Sequence, residues 1–238
     1  MAVYLTGDTH GHIDIRKLAT RKWPEGATLT KDDLLVILGD FGLVWDGGPQ
    51  DGWWLDWLEE KPWTTLFVDG NHENHRMLAE DFDETEMFGG RVHRIREDIY
   101  HLMRGYVFDL PCRNGDQSFA IMGGARSSDR AWRVEGRSWW PEEIPNDLER
   151  SRLEASLEAR GWHVDHMLTH DAPATLVPRI AMTLGFEPMP RADEFQRWLG
   201  GIEYRLDYGH WWFGHWHADM DLSPTQTVLY HEIRNVDE

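Results

Sequence analysis

Val3-Tyr4-Leu5-Thr6-Gly7-Asp8-Thr9-His10 carries the pattern on which the fold turns: a short apolar run that breaks, through one glycine, into two metal-binding side-chain types. β-Branched, aromatic and aliphatic residues in such a run read as a buried strand. The same junction recurs downstream. Leu34-Leu-Val-Ile-Leu38 leads into Gly39-Asp40, and Thr65-Leu-Phe-Val68 into Gly70-Asn71-His72-Glu73. Met167-Leu-Thr169 leads into His170-Asp171, and Trp211-Trp-Phe213 into Gly214-His215-Trp216-His217. Phe119-Ala-Ile-Met122 and Thr227-Val-Leu-Tyr230 read as further strands. Between them the spacing predicts helices over 14–22, 51–60 and 147–160. In the last, Asn146 is the cap, Glu149 completes a capping box and Gly161 is the stop. Asn114-Gly115 predicts a hairpin turn. Strands alternating with helices and then hairpins predict an α/β protein with mixed sheets. In open α/β sheets the site forms at the carboxyl ends of the strands, so the five runs aim their polar residues at one edge. The glycine before Asp8, Asp40, Asn71 and His215 is expected to let the backbone turn sharply there.

In an extended segment residues i and i+2 point to the same side. Asp8 and His10 are therefore expected to grip one ion together, and so are His215 and His217. Carboxylate, imidazole and the Asn71 amide oxygen suit Mn, Fe or Zn better than Ca or Mg, and no thiolate lies nearby to favour a structural zinc site. Two ions about 3.5–4 Å apart clamp the attacking and leaving oxygens of a phosphoryl group and acidify a bridging water.

The ordered series Asp8-x-His10, Gly39-Asp40, Gly70-Asn71-His72-Glu73, His170 and Gly214-His215-x-His217 resembles the calcineurin-like metallophosphoesterase superfamily over nearly the whole chain. The resemblance implies a four-layer α/β/β/α sandwich, two mixed β-sheets flanked by helices, in a single domain over 1–238. It implies two divalent metal ions, Mn first, with Fe or Zn as alternatives. Asp8, His10, Asp40 and His217 would hold one, and Asp40, Asn71, His170 and His215 the other, so that Asp40 bridges. By the same resemblance His72 touches the substrate phosphate beside Asn71 and, as general acid, protonates the leaving oxygen. The implied activity is hydrolysis of a small phosphoester, a phosphatase or phosphodiesterase reaction, by attack of a metal-activated water. The chain departs from the protein serine/threonine phosphatases of that superfamily. Leu43 stands where they carry an Asp that orients the catalytic His, no Arg follows, and Asp46 is the available substitute. A protein phosphatase and a metal-bearing, non-catalytic binding scaffold remain the alternatives.

Gly123-Gly-Ala-Arg126-Ser-Ser-Asp-Arg130 follows another strand. It reads either as a solvated loop or as a place from which Arg126 or Arg130 reaches a substrate phosphate. Glu73 and Asp171 are expected to orient metal-bound histidines. His12 and His75 read as exposed or core-satisfied, most of the 14 Trp as core, and Glu80–Glu84 as a solvated acidic face. The formal charge of −18 disfavours a surface for duplex nucleic acid. It leaves room for a small phosphoester or nucleotide substrate, because bound cations invert the local sign. The apolar runs predict no membrane span and no signal peptide. The single cysteine, Cys112, excludes an internal disulfide, and a cytoplasmic location is expected.

Overall fold

The computed structural model describes residues 1–237, so only Glu238 of the expected span lies outside the described residues. The strands are β1 (Val3–Thr6), β2 (Leu34–Leu38), β3 (Thr64–Val68), β4 (Glu84–Met87), β5 (Gly90–Arg96), β6 (Ile99–Leu102) and β7 (Val107–Cys112). They continue with β8 (Gly115–Met122), β9 (His163–Thr169), β10 (Asp207–Phe213), β11 (Met220–Ser223), β12 (Gln226–Val228) and β13 (Ile233–Asn235). The α-helices are α1 (Pro49–Glu59), α2 (His75–Glu80), α3 (Asp147–Ala159), α4 (Val177–Leu184) and α5 (Glu194–Arg205).

β1 and β2 are buried along their whole length. A strand sends alternate side chains to opposite faces, so each needs a core on both sides. Val3, Leu5, Val36 and Leu38 pack with Phe108, Phe119, Ile121 and Leu168 between two sheets. Tyr4, Leu35 and Ile37 turn the other way, onto Ile15, Leu18 and the Trp54, Leu55 and Leu58 side chains of α1. The second sheet repeats the arrangement. Met122, Met167 and Phe213 face Leu153 and Leu157 of α3, Ile180 of α4 and Leu199 of α5. The result is the expected four-layer sandwich. Its seven-stranded sheet runs β13-β1-β2-β3-β6-β5-β4 and its six-stranded sheet β11-β12-β10-β9-β8-β7, both mixed.

α3 begins on the Asn146–Glu149 capping box read from the sequence, and α5 on a second one, Asp193 with Gln196. The helix expected over 14–22 contracts to one 3-10 turn, Ile15–Leu18, whose Asp14 N-cap makes no side-chain hydrogen bond. The buried Lys17 side chain turns inward from that turn instead, as described below. The hairpin turn falls one residue earlier than read, on Arg113-Asn114, because Cys112 pairs with Gly115. β4 begins inside the acidic run. Glu84 and Glu86 are exposed on this edge strand, where charge discourages pairing with another chain.

β1, β2 and β3 are mutually parallel, as are β8, β9 and β10. The carboxyl ends of the five motif-bearing strands therefore meet at one edge of the sandwich. No helix among the described residues is long and apolar enough to cross a membrane.

Candidate metal centre

The strand ends turn through the functional residues themselves. His10, Asp40, His215 and His217 have φ of 43°, 46°, 64° and 48°, the left-handed region that non-glycine residues seldom occupy. Such strain gathers at functional sites, where the surrounding structure imposes it. Of the four glycines expected to make the turns, only Gly39 has positive φ (92°). Gly7, Gly70 and Gly214 serve close approach instead, since a Cβ there would collide with the Leu229 carbonyl, Asp40 and Asp8 respectively.

Seven strand-end side chains form two groups that share Asp40: Asp8, His10, Asp40 and His217 in one, Asp40, His170 and His215 in the other, with Asn71 beside the second. Within each His/Asp group the possible ligand atoms lie within 4.8 Å of one another. Asp40 Oδ2 is 3.3 Å from His10 Nε2, and Oδ1 is 3.2 Å from His170 Nε2. His217 Nε2 lies 3.2 Å from Asp8 Oδ2. Asn71 Oδ1 is 3.3 Å from His170 Nε2, which places the amide oxygen beside the second group. The expectation that His215 and His217 grip one ion is corrected: they fall in different groups. With left-handed backbone at both positions, the segment is not extended and the i, i+2 rule does not apply.

Surrounding groups aim these side chains. His10 Nδ1 meets Asp14 at 3.1 Å, and His170 Nδ1 donates to the Leu38 carbonyl at 2.8 Å, so both Nε2 atoms face inward. The backbone N–H groups of Asn71 and His72 each donate to Asp40 Oδ1 at 2.8 Å. The Asn71 amide nitrogen donates to Ser127 Oγ at 3.2 Å, and Ser127 Oγ donates to the buried Glu143 carboxylate at 2.6 Å. That chain turns the Asn71 oxygen toward His170. Lys17 donates to the Gly7 and Asp8 carbonyls at 2.8 and 2.9 Å and to that of Tyr230, tying the end of β1 to the loop after β12. Its burial pulls the ammonium down to about 8. Neither Glu73 nor Asp171 bonds a histidine, contrary to expectation. Glu73 accepts from the Gly42 and Gly70 amides, and Asp171 from Ala172, Gln196 and Trp216.

The electrostatics favour a cation. Burial alone would lower His10 and His170, but the hydrogen bond and charge of Asp40, with the charge of Asp8, push them up to about 8 and about 10. Burial works to raise Asp40, yet the neighbouring imidazoles hold its carboxyl well below the usual range. Protons on these rings occupy the place of a bound cation, and metal binding would release them. Asp8 Oδ2 is buried and has no well-aligned hydrogen-bond donor among the described residues, although His217 Nε2 lies 3.2 Å away. A buried charged oxygen facing an imidazole nitrogen without good hydrogen-bond alignment requires an explanation, and a divalent cation between Asp8, His10, Asp40 and His217 fits it. The donor set fits the group.

A profile of the calcineurin-like phosphoesterases matches residues 1–219. The chain belongs to this family. No curated protein matches it in sequence. Membership supports a metal-dependent phosphoester hydrolase in general, and the two groups supply residues able to hold divalent ions.

In this calcineurin-like phosphoesterase His10, Asp40, Asn71, His215 and His217 of the two groups line a cavity of about 670 Å³, with Asp8 and His170 buried behind it. His72 lies on its wall, and its Nε2 accepts from the Arg133 guanidinium at 3.0 Å. Burial lowers the His72 imidazole, Asp40 opposes that, and the Arg133 charge adds to the fall. Arg133, which the sequence reading passed over, is the arginine that lines the cavity, and Asp129 steadies it at 2.7 Å. Arg126 is exposed and outside the cavity lining, and the Arg130 guanidinium lies over the Trp139 ring at 5.0 Å. A basic residue three beyond the last one considered was the available signal. Leu43 is buried in the core, and Asp46 accepts from the Gly48 amide at 2.7 Å without bonding His72. A larger crevice, about 850 Å³, includes Tyr4, Gln117, His166 and Arg234 in its lining, none of them among the seven.

Proposed function

We propose that this chain is a dinuclear-metal phosphoesterase acting on a small phosphoester or nucleotide. The observation that carries the proposal is the shared position of Asp40, one carboxylate oxygen toward each group of ligand atoms. Asp8, His10, Asp40 and His217 would hold one ion, and Asp40, Asn71, His170 and His215 the other. The mixed carboxylate, imidazole and amide donors favour Mn, with Fe or Zn as alternatives. When bound, the ions supply Lewis-acid stabilisation of the phosphoryl oxygens and an acidified water. Asp40 sets the spacing of the two positions, and Asn71, held by Ser127, bounds the second. Arg133 presents its guanidinium to a phosphoryl oxygen, a task suited to its fork geometry. As Arg133 turns from His72 toward the substrate, His72 Nε2 is freed to take up a proton from solvent and pass it to the leaving oxygen. With Leu43 in the core and Asp46 committed to a turn, no carboxylate orients His72 in the manner of the protein phosphatases, which favours a small ester. The acidic surface and buried single cysteine support a cytoplasmic enzyme without a duplex nucleic-acid partner.

Chelator-stripped protein should lose activity on nitrophenyl phosphoesters by roughly 10³-fold or more and regain it with Mn. No turnover across a panel of mono- and diesters by protein carrying two equivalents of metal would overturn the proposal. Arg133→Ala should lower kcat/KM by about 10- to 100-fold, the loss of a charge-assisted hydrogen bond, with metal content unchanged. Arg126→Ala, the residue expected from sequence, should stay within about twofold. The reverse pattern would return the role to Arg126.

A further inference from the structure

The cavity above the candidate ligands has two unlike walls. One is polar and includes Ser128, Asp129 and Arg133. The other is largely apolar and includes Ile13, Phe186, Pro190, Trp216 and the Tyr230 ring, with Asp14 beside Tyr230. Ile13 and Phe186 are 66% and 48% exposed, and they line the same cavity as the charged groups of its floor. Phe186 directly follows Gly185, whose left-handed conformation (φ 73°) ends α4. Its amide bonds back to the Ala181 carbonyl at 2.9 Å, and its ring meets Trp216 edge to face at 6.2 Å.

The polar atoms of this wall are already engaged. Trp216 Nε1 donates to Asp171 at 3.1 Å, the Tyr230 hydroxyl donates to Asp14 at 3.0 Å, and the Tyr230 ring stacks on His217 at 4.8 Å. A substrate group lying here finds apolar surface and aromatic edges and no free side-chain donor. Hydroxyl-rich or charged groups would lose their hydration without replacement. A cavity of this volume is of the size that encloses a drug-sized ligand, far larger than a phosphoryl group alone.

We propose that the site selects phosphoesters whose organic group is an apolar, ring-sized body, seated against Ile13, Phe186 and Trp216 while the phosphoryl group occupies the floor beside Arg133. The inference rests on the phosphoesterase reading above and names its substrate class. Phe186 and Ile13 determine specificity by excluding water from the apolar face of the ester, and the negative protein supplies no cation on that wall for a second anionic group.

Titration calorimetry of the manganese-loaded protein with phenylphosphonate and methylphosphonate tests this without turnover. Phenylphosphonate should bind about tenfold more tightly, the effect of removing one ring face from water. In Phe186→Ala and in Ile13→Ala the ratio of the two dissociation constants should fall toward one. Both side chains are substantially exposed, so neither change threatens the core. Equal affinities in the unaltered protein would overturn the inference and leave the phosphoesterase reading standing. A preference that survives in both variants would overturn the assignment of the wall. Binding of neither phosphonate would remove the phosphoesterase reading and this inference with it.

Discussion

Asp40→Asn should lower kcat/KM on a phosphoester by roughly 10³-fold or more and reduce bound metal from two equivalents to at most one. The substitution keeps the shape of the side chain and an oxygen to accept the Asn71 and His72 backbone N–H groups, each 2.8 Å away. The loop can therefore retain its path. What is lost is the anionic oxygen facing His10 at 3.3 Å, together with the charge that raises His10 and His170. Activity falls because both ligand groups depend on that one carboxylate. Elemental analysis beside steady-state kinetics separates this from unfolding, since the variant should retain a cooperative thermal transition. Two equivalents of metal and undiminished turnover in Asp40→Asn would remove Asp40 from the bridging position.

The second large effect is on stability, at a buried pair behind the site. Asp69 ends the β3 side of the loop that carries Asn71 and His72. Its carboxylate accepts from Arg104 Nε at 2.8 Å and from His101 Nε2 at 3.0 Å, and all three side chains are buried. Arg104 also reaches the Glu142 carbonyl at 3.0 Å and Glu149 at 3.2 Å, joining β3 to the start of α3. Removing one partner of a buried pair leaves the other charge uncompensated, at a cost of about 3–5 kcal/mol. Arg104→Met should therefore lower Tm by roughly 10 °C. Burial by itself would raise the Asp69 carboxyl, but the Arg104 charge and the His101 hydrogen bond hold it well below the usual carboxylate range. A depressed carboxyl contributes stability above its unfolded value, about 3.9, and loses it as the pH falls toward the folded value. The deficit of Arg104→Met should accordingly be complete at pH 7 and shrink below about pH 4. Equal melting temperatures at neutral pH, or a deficit that grows in acid, would show that the pair does not stabilise the fold.

His93 and His101 show why such a network escapes a reading of the sequence. They lie on neighbouring antiparallel strands as cross-strand partners, with Nδ1 atoms 2.9 Å apart, and His101 reaches Asp69, the residue just after β3. In Gly90–Leu102 the aliphatic residues Val92, Ile95, Ile99 and Leu102 fall three and four apart and no motif ends the stretch, so no period of two marked two strands of the larger sheet. β1, β2 and β3 announced themselves because both faces of each are buried, which leaves a nearly continuous apolar run. β4, an exposed edge, looks like any solvated segment.

The site divides along the same line. The residue types, their order and their place at strand ends are local properties, readable because a strand must stop before its polar residues can face a common edge. That placement offered Asp8, His10, Asp40, Asn71, His72, Glu73, His170, Asp171, His215 and His217, and the family resemblance narrowed the ligands to seven of them. Which of them share a position could not be read from spacing. Left-handed backbone at His215 and His217 sends neighbours two residues apart to different groups, and that conformation is imposed by packing around them. Arg133 at His72, Ser127 at Asn71 and Lys17 under Asp8 are likewise tertiary decisions. Arg133 lies 61 residues from its partner and Ser127 56, while Lys17 reaches the Tyr230 carbonyl, 213 residues away. Local chemistry named the donors; the meeting of two sheets at their carboxyl edges decided how those donors are grouped and aimed, because distance in space and not along the chain governs an electrostatic contact.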